Sequence, residues 1–463
     1  MSGISAPQIE MRRELGLRDV VLLYVIAVVS LQWLSTSALL GPGSLLLWLL
    51  AVVAFFVPSG LAVMEMHSRY AGEGGLYVWV KEAFGDVPAF VTGWCYVVSN
   101  FVFFPTVLLF LTGTAIYVGG GASLGLKDNF AFHAGLSLVV VWVIVLANIV
   151  GLGRAKWLSN AGALLMGAVL VILVAVAFAS ASQFGSATTF SGALVPDIAD
   201  PALVKSFSAM MLALVGLELA PLMGGEIREP RRVIPRAIAL SALPIVAFYV
   251  LGTWALMVAL PKDRIEAMSG VPEAVTTIAA RLGMPALGPL TALLMALATA
   301  GILAAWLTGV VRLPYVVGVD RHLPPVLGRL HPQFQTPHVA LFVCGVITSA
   351  LVLLAMAGAT VGEAYQVLVD TTVVLTFLPL VFLFAALPVL RAKRVGDPTL
   401  VLPVPGGWTG NVVVTALGLG SAVLAIVLAL VPPAQGNTAL FYLKVVGGSV
   451  LFIGIGFAFY RRR

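Results

Sequence analysis

FSAMMLALVGLELAPLMGG (207–225) is the stretch whose reading decides the fold. It is long and apolar enough to cross a bilayer, yet it holds Glu218, with Gly216 two residues before it and Pro221 three residues after it. A carboxylate at bilayer depth costs roughly 2.5–3.5 kcal/mol on insertion scales, so such an acid faces a cavity, a partner or a pathway. Glycine and proline each weaken a helix where they stand. An acid beside a weak point in a spanning helix marks a site rather than a wall.

The rest of the chain sets that stretch in a membrane. Of its 463 residues, 60% are hydrophobic and 10% are charged, against about 25% charged in a soluble domain. Spanning helices need about 20 apolar residues each. Such runs fall near 18–41, 43–66, 88–118, 133–150, 157–180, 203–225, 237–260, 286–315, 338–357, 364–390, 411–431 and 440–460, twelve in all. The net charge is +6, but the basic residues lie in short segments between spans, which argues against nucleic-acid binding. Cys95 and Cys344 both sit in apolar spans, and no Cys or His pairing has ligand spacing, so neither a disulfide framework nor a metal site is expected. The histidines (67, 133, 322, 331 and 338) all fall at span ends or in loops. The polar N-terminus lacks the apolar core and cleavage site of a secretory signal.

Lysine and arginine assign the sides. With the N-terminus inside, the inner segments hold Arg12 and Arg13, then Arg228, Arg231, Arg232 and Arg236, and finally Arg461, Arg462 and Arg463 among others. The outer side receives only Lys127, Lys205, Lys262, Arg264, Arg281 and Lys444. Both termini are therefore expected in the cytoplasm, which requires an even number of spans. The outer loop 261–285 is expected to carry a short surface helix, and the basic, Pro/Gly-rich 391–407 reads as a linker before the last two spans.

Four stretches stand out together: LGLRDVVLLYVIAVVSLQWLSTSALLGPGS (15–44), EMHSRYAGEGGLYVWVKEAFG (65–85), LVGLELAPLMGGEIREPRRVIPRAI (214–238) and VVRLPYVVGVDRHLPPVLGRLHPQFQTPH (310–338). Their order and spacing resemble the amino acid–polyamine–organocation superfamily of secondary transporters. The third, with VPSGLAVMEM (57–66), looks most like the glutamate/GABA-antiporter branch. The resemblance implies an all-α integral membrane fold with a five-plus-five inverted repeat, broken helices 1 and 6, and two peripheral helices. It divides the chain into a cytoplasmic segment 1–17, a transport core 18–390, a linker 391–407 and peripheral helices 408–463.

The same resemblance implies where a substrate binds. A broken helix exposes N–H groups at one half-helix start and C=O groups at the other end. The first suits a carboxylate and the second an ammonium. The expected binding residues are Ser30, Leu31 and Gln32 on helix 1, Ala213, Leu214, Val215 and Gly216 on helix 6, and Phe101 on helix 3. The superfamily pattern at the first break is Gly-Ser-Gly, and this chain departs from it. Glu218 and Trp306 are the expected gating or proton-sensing residues. Met166 stands where proton-coupled relatives carry a lysine. Further expectations are a latch built from Glu226, Arg228, Arg231 and Arg232 at the inner end of helix 6, and a solvated Asp370 in an outer vestibule.

The function so implied is secondary transport of amino acids or derived amines across a bacterial-type inner membrane by alternating access, with exchange preferred over proton-coupled import. The expected partners are a small-molecule amino acid or amine and the lipid bilayer, with proton coupling left open. No cofactor and no nucleic acid are expected. A membrane-embedded enzyme would need a cluster of His, Asp, Ser or Cys at matched depth, and a sensor a soluble signalling domain; the sequence shows neither.

Overall fold

A bilayer has no water to satisfy backbone polar groups, so each apolar run closes its own hydrogen bonds as a helix. The computed structural model describes residues 13–70, 74–190, 195, 201–314, 323–356, 360–393, 401–432 and 438–461. Parts of the N-terminal segment, of the 391–407 linker and of the stretches 65–85 and 310–338, with His322, lie outside them. Among the described residues, eleven helices are long and apolar enough to cross a membrane. The remaining predicted span, the sixth, is broken into pieces too short to qualify.

The first span is split into α1 (Leu17–Val28) and α2 (Leu31–Ala38). The second is α3 (Gly43–Arg69), which passes through a π turn at Val52–Phe56. A short α4 (Leu76–Phe84) leads to α5 (Asp86–Ala115), then α6 (Phe130–Val150) and α7 (Leu152–Phe184). The sixth span is α8 (Pro201–Ala213) and a single turn, α9 (Leu219–Leu222). Next come α10 (Pro230–Ala259), α11 (Gly270–Arg281) and α12 (Leu287–Val310); α11 is the short helix expected in the loop 261–285, but it is largely buried against the spans rather than lying on the surface. α13 (His338–Met356), α14 (Val361–Ala392), α15 (Gly407–Ala429) and α16 (Thr438–Arg461) complete the order.

Small residues set how closely the central helices approach. α7 crosses α12 at Gly162 and Gly301, where a Cβ on either glycine would stand 2.7–2.8 Å from the other's Cα. Without water between helices, such backbone-to-backbone packing is a main source of association in a bilayer. α1, α5 and α10 also pack on this pair, so the broken helices are enclosed by unbroken ones. The outward faces are apolar: Leu243 is 77% exposed and Val171 68%, as lipid contact demands. α16 joins the core through Trp94, whose indole N–H donates to the Phe452 carbonyl at 2.8 Å.

The basic end is closed by backbone pairing. Leu15 N–H donates to the Glu226 carbonyl at 3.0 Å, and Arg228 N–H donates to the Leu15 carbonyl at 2.9 Å. These bonds make an isolated parallel bridge between Leu15 and Ile227, which staples the chain before α1 to the chain after α9.

Candidate functional site

α1 ends at Val28, and Val29 (φ −79°, ψ 126°) and Ser30 (φ −147°, ψ 134°) run extended before α2 begins. The expected break at Ser30–Gln32 is therefore Val29–Ser30, and Leu31 and Gln32 form the first turn of the second half-helix. Extended backbone is open to any residue, so this break stands without the superfamily's glycines. What it needs is a partner for its freed polar groups. Tyr249 on α10 supplies one: its hydroxyl accepts from Ser30 N–H at 3.2 Å and lies 2.6 Å from the Val28 carbonyl and 3.0 Å from the Ala213 carbonyl. Its single proton serves one carbonyl at a time, so the phenol ties both broken helices together and leaves one carbonyl short. Trp48 stacks on the ring at 4.2 Å and anchors itself to Thr253 Oγ1 at 3.0 Å.

The second break does depend on glycine. α8 ends at Ala213, and Gly216 adopts φ +138°. A Cβ there would also lie 3.1 Å from Val28 Cγ2 and 3.4 Å from the Ala27 carbonyl. Glu218 sits inside this break, as the residue capping α9. Its carboxylate accepts from Gly216 N–H at 3.2 Å and from the Tyr96 hydroxyl at 2.9 Å, and the residue is 3% exposed. Both oxygens are thus used within the protein.

A cavity of about 30 Å³ lies between the breaks. Of the expected binding residues, Ser30, Ala213 and Val215 line it, and Leu31, Gln32, Leu214, Gly216 and Phe101 do not. Gln32 is buried with neither amide atom hydrogen-bonded. Phe101 fails for a reason of helical phase. At about 100° per residue, Ser99, Asn100 and Phe103 share the face of α5 turned to the cavity, and Phe101 points the other way. Trp306 forms a wall: its indole N–H donates to the Ala27 carbonyl at 2.9 Å, and its ring meets Phe103 at 5.7 Å and Tyr96 at 6.5 Å. It lines the cavity and also meets Tyr96, the hydrogen-bond partner of Glu218. Met166 is fully buried core on α7.

Buried ion pairs close both ends of this region. At the basic end, Arg312 Nη2 lies 2.8 Å from Glu226 Oε1, with the side chains 3% and 5% exposed. Arg312 also donates to the Thr308 carbonyl, and Thr308 Oγ1 donates to Asn148 Oδ1 at 2.5 Å. The expected latch is corrected: Glu226 pairs across to the end of α12, while Arg232 pairs with Glu229 on the surface. At the opposite end, Lys205 on α8 lies 2.9 Å from Asp370 on α14 and 4.8 Å from the centre of the Phe441 ring. Asp370 is 2% exposed, so it is an ion-paired core residue and not a solvated vestibule acid. The sequence concealed this pairing because the partners are 165 positions apart.

A third cluster fixes the linker. Glu65 at the end of α3 is fully buried, accepts from Arg69 at 2.8 Å and from Val404 N–H at 2.7 Å, and pairs with Arg391 Nε 3.1 Å away. The described part of the linker is thereby tied to the second span.

Two discontinuous helices meeting at a buried cavity, with a closure on either side, define a membrane transporter of LeuT-like fold. The chain belongs to the amino acid permease family, whose model matches residues 15–451. It is 28% identical over 457 residues to an uncharacterised transporter of Legionella pneumophila, covering 97% of each chain. It is 24% identical to a probable agmatine/putrescine antiporter of Lactococcus lactis, over 92% of this chain and 90% of that one. Among solved structures it matches MhsT in complex with L-phenylalanine with a TM-score of 0.64 at 15% identity, covering 91% of this chain and 99% of that one. That match shows the shared fold.

Proposed function

We propose that the protein exchanges one amino acid or amino-acid-derived amine for another across a cytoplasmic membrane, with both termini inside. The observation that carries this reading is the cavity held between the Val29–Ser30 and Leu214–Glu218 breaks, with a buried ion pair on each side of it. A site reached from one side at a time needs two closures that open in turn. Lys205–Asp370 and Glu226–Arg312 are suited to those roles, because each joins one half of the broken sixth span, or the chain leading from it, to an unbroken helix. The positive-inside bias supports a cytoplasmic position for Glu226–Arg312.

Trp306 is the floor of the site in this reading, and Glu218 is the acid behind it. Met166 in place of a coupling lysine supports exchange over symport through that position. The test uses purified protein in liposomes preloaded with unlabelled amino acids and amines, with labelled uptake followed with and without a proton gradient. Uptake that depends on internal substrate supports exchange. Gradient-driven uptake into empty vesicles overturns it in favour of proton-coupled import. A Glu218→Gln variant with the wild-type pH profile removes Glu218 as a proton sensor.

A further inference from the structure

Three features of the cavity restrict what can occupy it. The first is the start of α2. This eight-residue half-helix begins beside Ser30, a cavity residue; Tyr249 accepts from Ser30 N–H and the Ser30 carbonyl from Trp33 N–H at 3.3 Å, which leaves the N–H groups of Leu31 and Gln32 in the first turn without an acceptor in the helix. They ask for an anion, and a substrate carboxylate supplies one. The second feature is Asn100, which is 3% exposed, lines the cavity and has no partner for Oδ1. One of the two Nδ2 hydrogens is committed to the Tyr96 carbonyl at 2.8 Å, so the atom of Asn100 left wholly without a partner is the acceptor Oδ1. The carbonyl that Tyr249 cannot serve is a second acceptor. Together they ask for a donor such as an ammonium group.

The third feature is the remaining wall. Phe103, Leu212, Val215, Ile302 and Trp306 present apolar surface. The nearby hydroxyls of Ser99 and Thr372 are turned back onto their own helices, donating to the Tyr96 and Leu368 carbonyls at 2.8 and 2.7 Å. Among the described residues the lining holds no Asp, Glu, Lys, Arg or His. Glu218 is the acid behind the wall, and both of its oxygens are engaged. A substrate bearing a charge beyond its ammonium and carboxylate finds no counter-charge, and burying an unpaired charge is heavily penalised. A diamine leaves the start of α2 unmatched.

Resting on the transport reading above, we infer that the site selects neutral, apolar α-amino acids and discriminates against charged amino acids and against amines that lack a carboxylate. Asn100 is the residue that keeps it neutral. A free volume of about 30 Å³ holds no more than a water or two, so in this closed state the pocket must widen around a side chain. Short aliphatic side chains ask for the least widening.

The test is competition in proteoliposomes. Uptake of labelled leucine and, separately, of labelled arginine is measured against valine, leucine, glutamate, arginine, leucine amide and agmatine. Valine and leucine are expected to compete at concentrations at least tenfold below those needed for the other four. Competition by arginine, glutamate or agmatine within threefold of leucine overturns the inference, as does labelled arginine moving where leucine does not; both leave the transport reading standing. If neither label moves and no competitor alters the thermal stability of the purified protein, the transport reading falls and this inference with it. Asn100→Asp, checked for a monodisperse elution profile, is expected to bring arginine into competition at least tenfold more strongly. An unchanged leucine-to-arginine preference in that variant removes Asn100 as the determinant.

Discussion

Arg312 reaches across the basic end of the molecule to Glu226, 2.8 Å away, and water is excluded from both side chains. A pair buried this deeply is not simply stabilising, because desolvating two charges offsets most of their attraction. Its consequence is directional. Separating the partners leaves buried charges unpaired, which is the property that the proposed closure calls for. The Lys205–Asp370 pair repeats the arrangement at the other end. Both are shut in this structure, which agrees with the small cavity between them.

Arg312→Ala should strand Glu226 and cost about 3–5 kcal/mol. Transport should be lost, and a reporter cysteine placed near Thr308 should become reactive from the basic side. The paired change Glu226→Gln with Arg312→Met should restore thermal stability without restoring the closure. A double variant as unstable as Arg312→Ala would show that the pair's surroundings, and not its charges, set the cost.

Lys205→Met should act at the opposite end. Losing the ammonium leaves Asp370 with only Gln366 Nε2, at 3.2 Å, and leaves the Phe441 ring without its cation. Access from that side should rise, and the apparent affinity for external substrate should change at least several-fold. Equal reactivity of a cysteine at position 376 in wild type and variant would count against a closure there.

The membrane class, the spans and the weak point of the sixth span could be read from the chain because each is a local pattern, apolar length or an acid beside Gly216 and Pro221, whereas the break of the first span was implied by the family resemblance. What tertiary contact alone decides was not legible. Tyr249 sits 219 positions from Ser30, and no pattern on α10 marks it as the group that satisfies both breaks. Phe101 has the residue type of a pocket wall, but the turn of α5 gives the cavity Asn100 and Phe103 instead. The missing glycines at the first break looked like a defect, but extended backbone at Val29 and Ser30 does not call for them.

Gly216→Ala tests the contrary case at the second break. The substitution forces an L-residue into φ +138° and presses a methyl group against Val28. Strain of this kind costs about 1–3 kcal/mol, and here it falls on the N–H that Glu218 holds. Transport should drop at least tenfold with a modest loss of melting temperature. Ser30→Gly, by contrast, should be tolerated.

The outer loops supply a pH prediction. Lys127 Nζ lies 2.6 Å from Glu266 Oε2, and both side chains are about half exposed. The hydrogen bond from Lys127 holds the Glu266 carboxyl below its ordinary 4.5, and the same bond raises the Lys127 ammonium above its ordinary 10.5. The depressed acid contributes fully above 4.5 and loses its contribution as pH falls through the folded-state value. The raised base contributes fully below 10.5 and loses it as pH climbs through its own. The difference in melting temperature between wild type and Glu266→Gln should therefore be flat from about pH 5.5 to 9 and shrink at either extreme. Exposure and screening keep it below about 1 kcal/mol, and high salt should reduce it further. A slope across neutral pH would mean that another group is being read.

Tyr249→Phe isolates the hydroxyl that joins the two broken helices. The ring should keep its stack on Trp48 at 4.2 Å, so packing is preserved while Ser30 N–H loses its acceptor and the Val28 and Ala213 carbonyls lose their donor. Each buried polar group left unpaired costs about 1–3 kcal/mol, and water entering the cavity can recover part of that. A purely structural role would lower the melting temperature and leave the kinetics of the folded fraction alone. A positioning role changes more, because Val28, Ser30 and Ala213 line the cavity. The expected result is a KM raised at least tenfold, with the maximal rate of correctly folded protein reduced less. Loss of stability with an unchanged KM would reduce Tyr249 to a support for the fold.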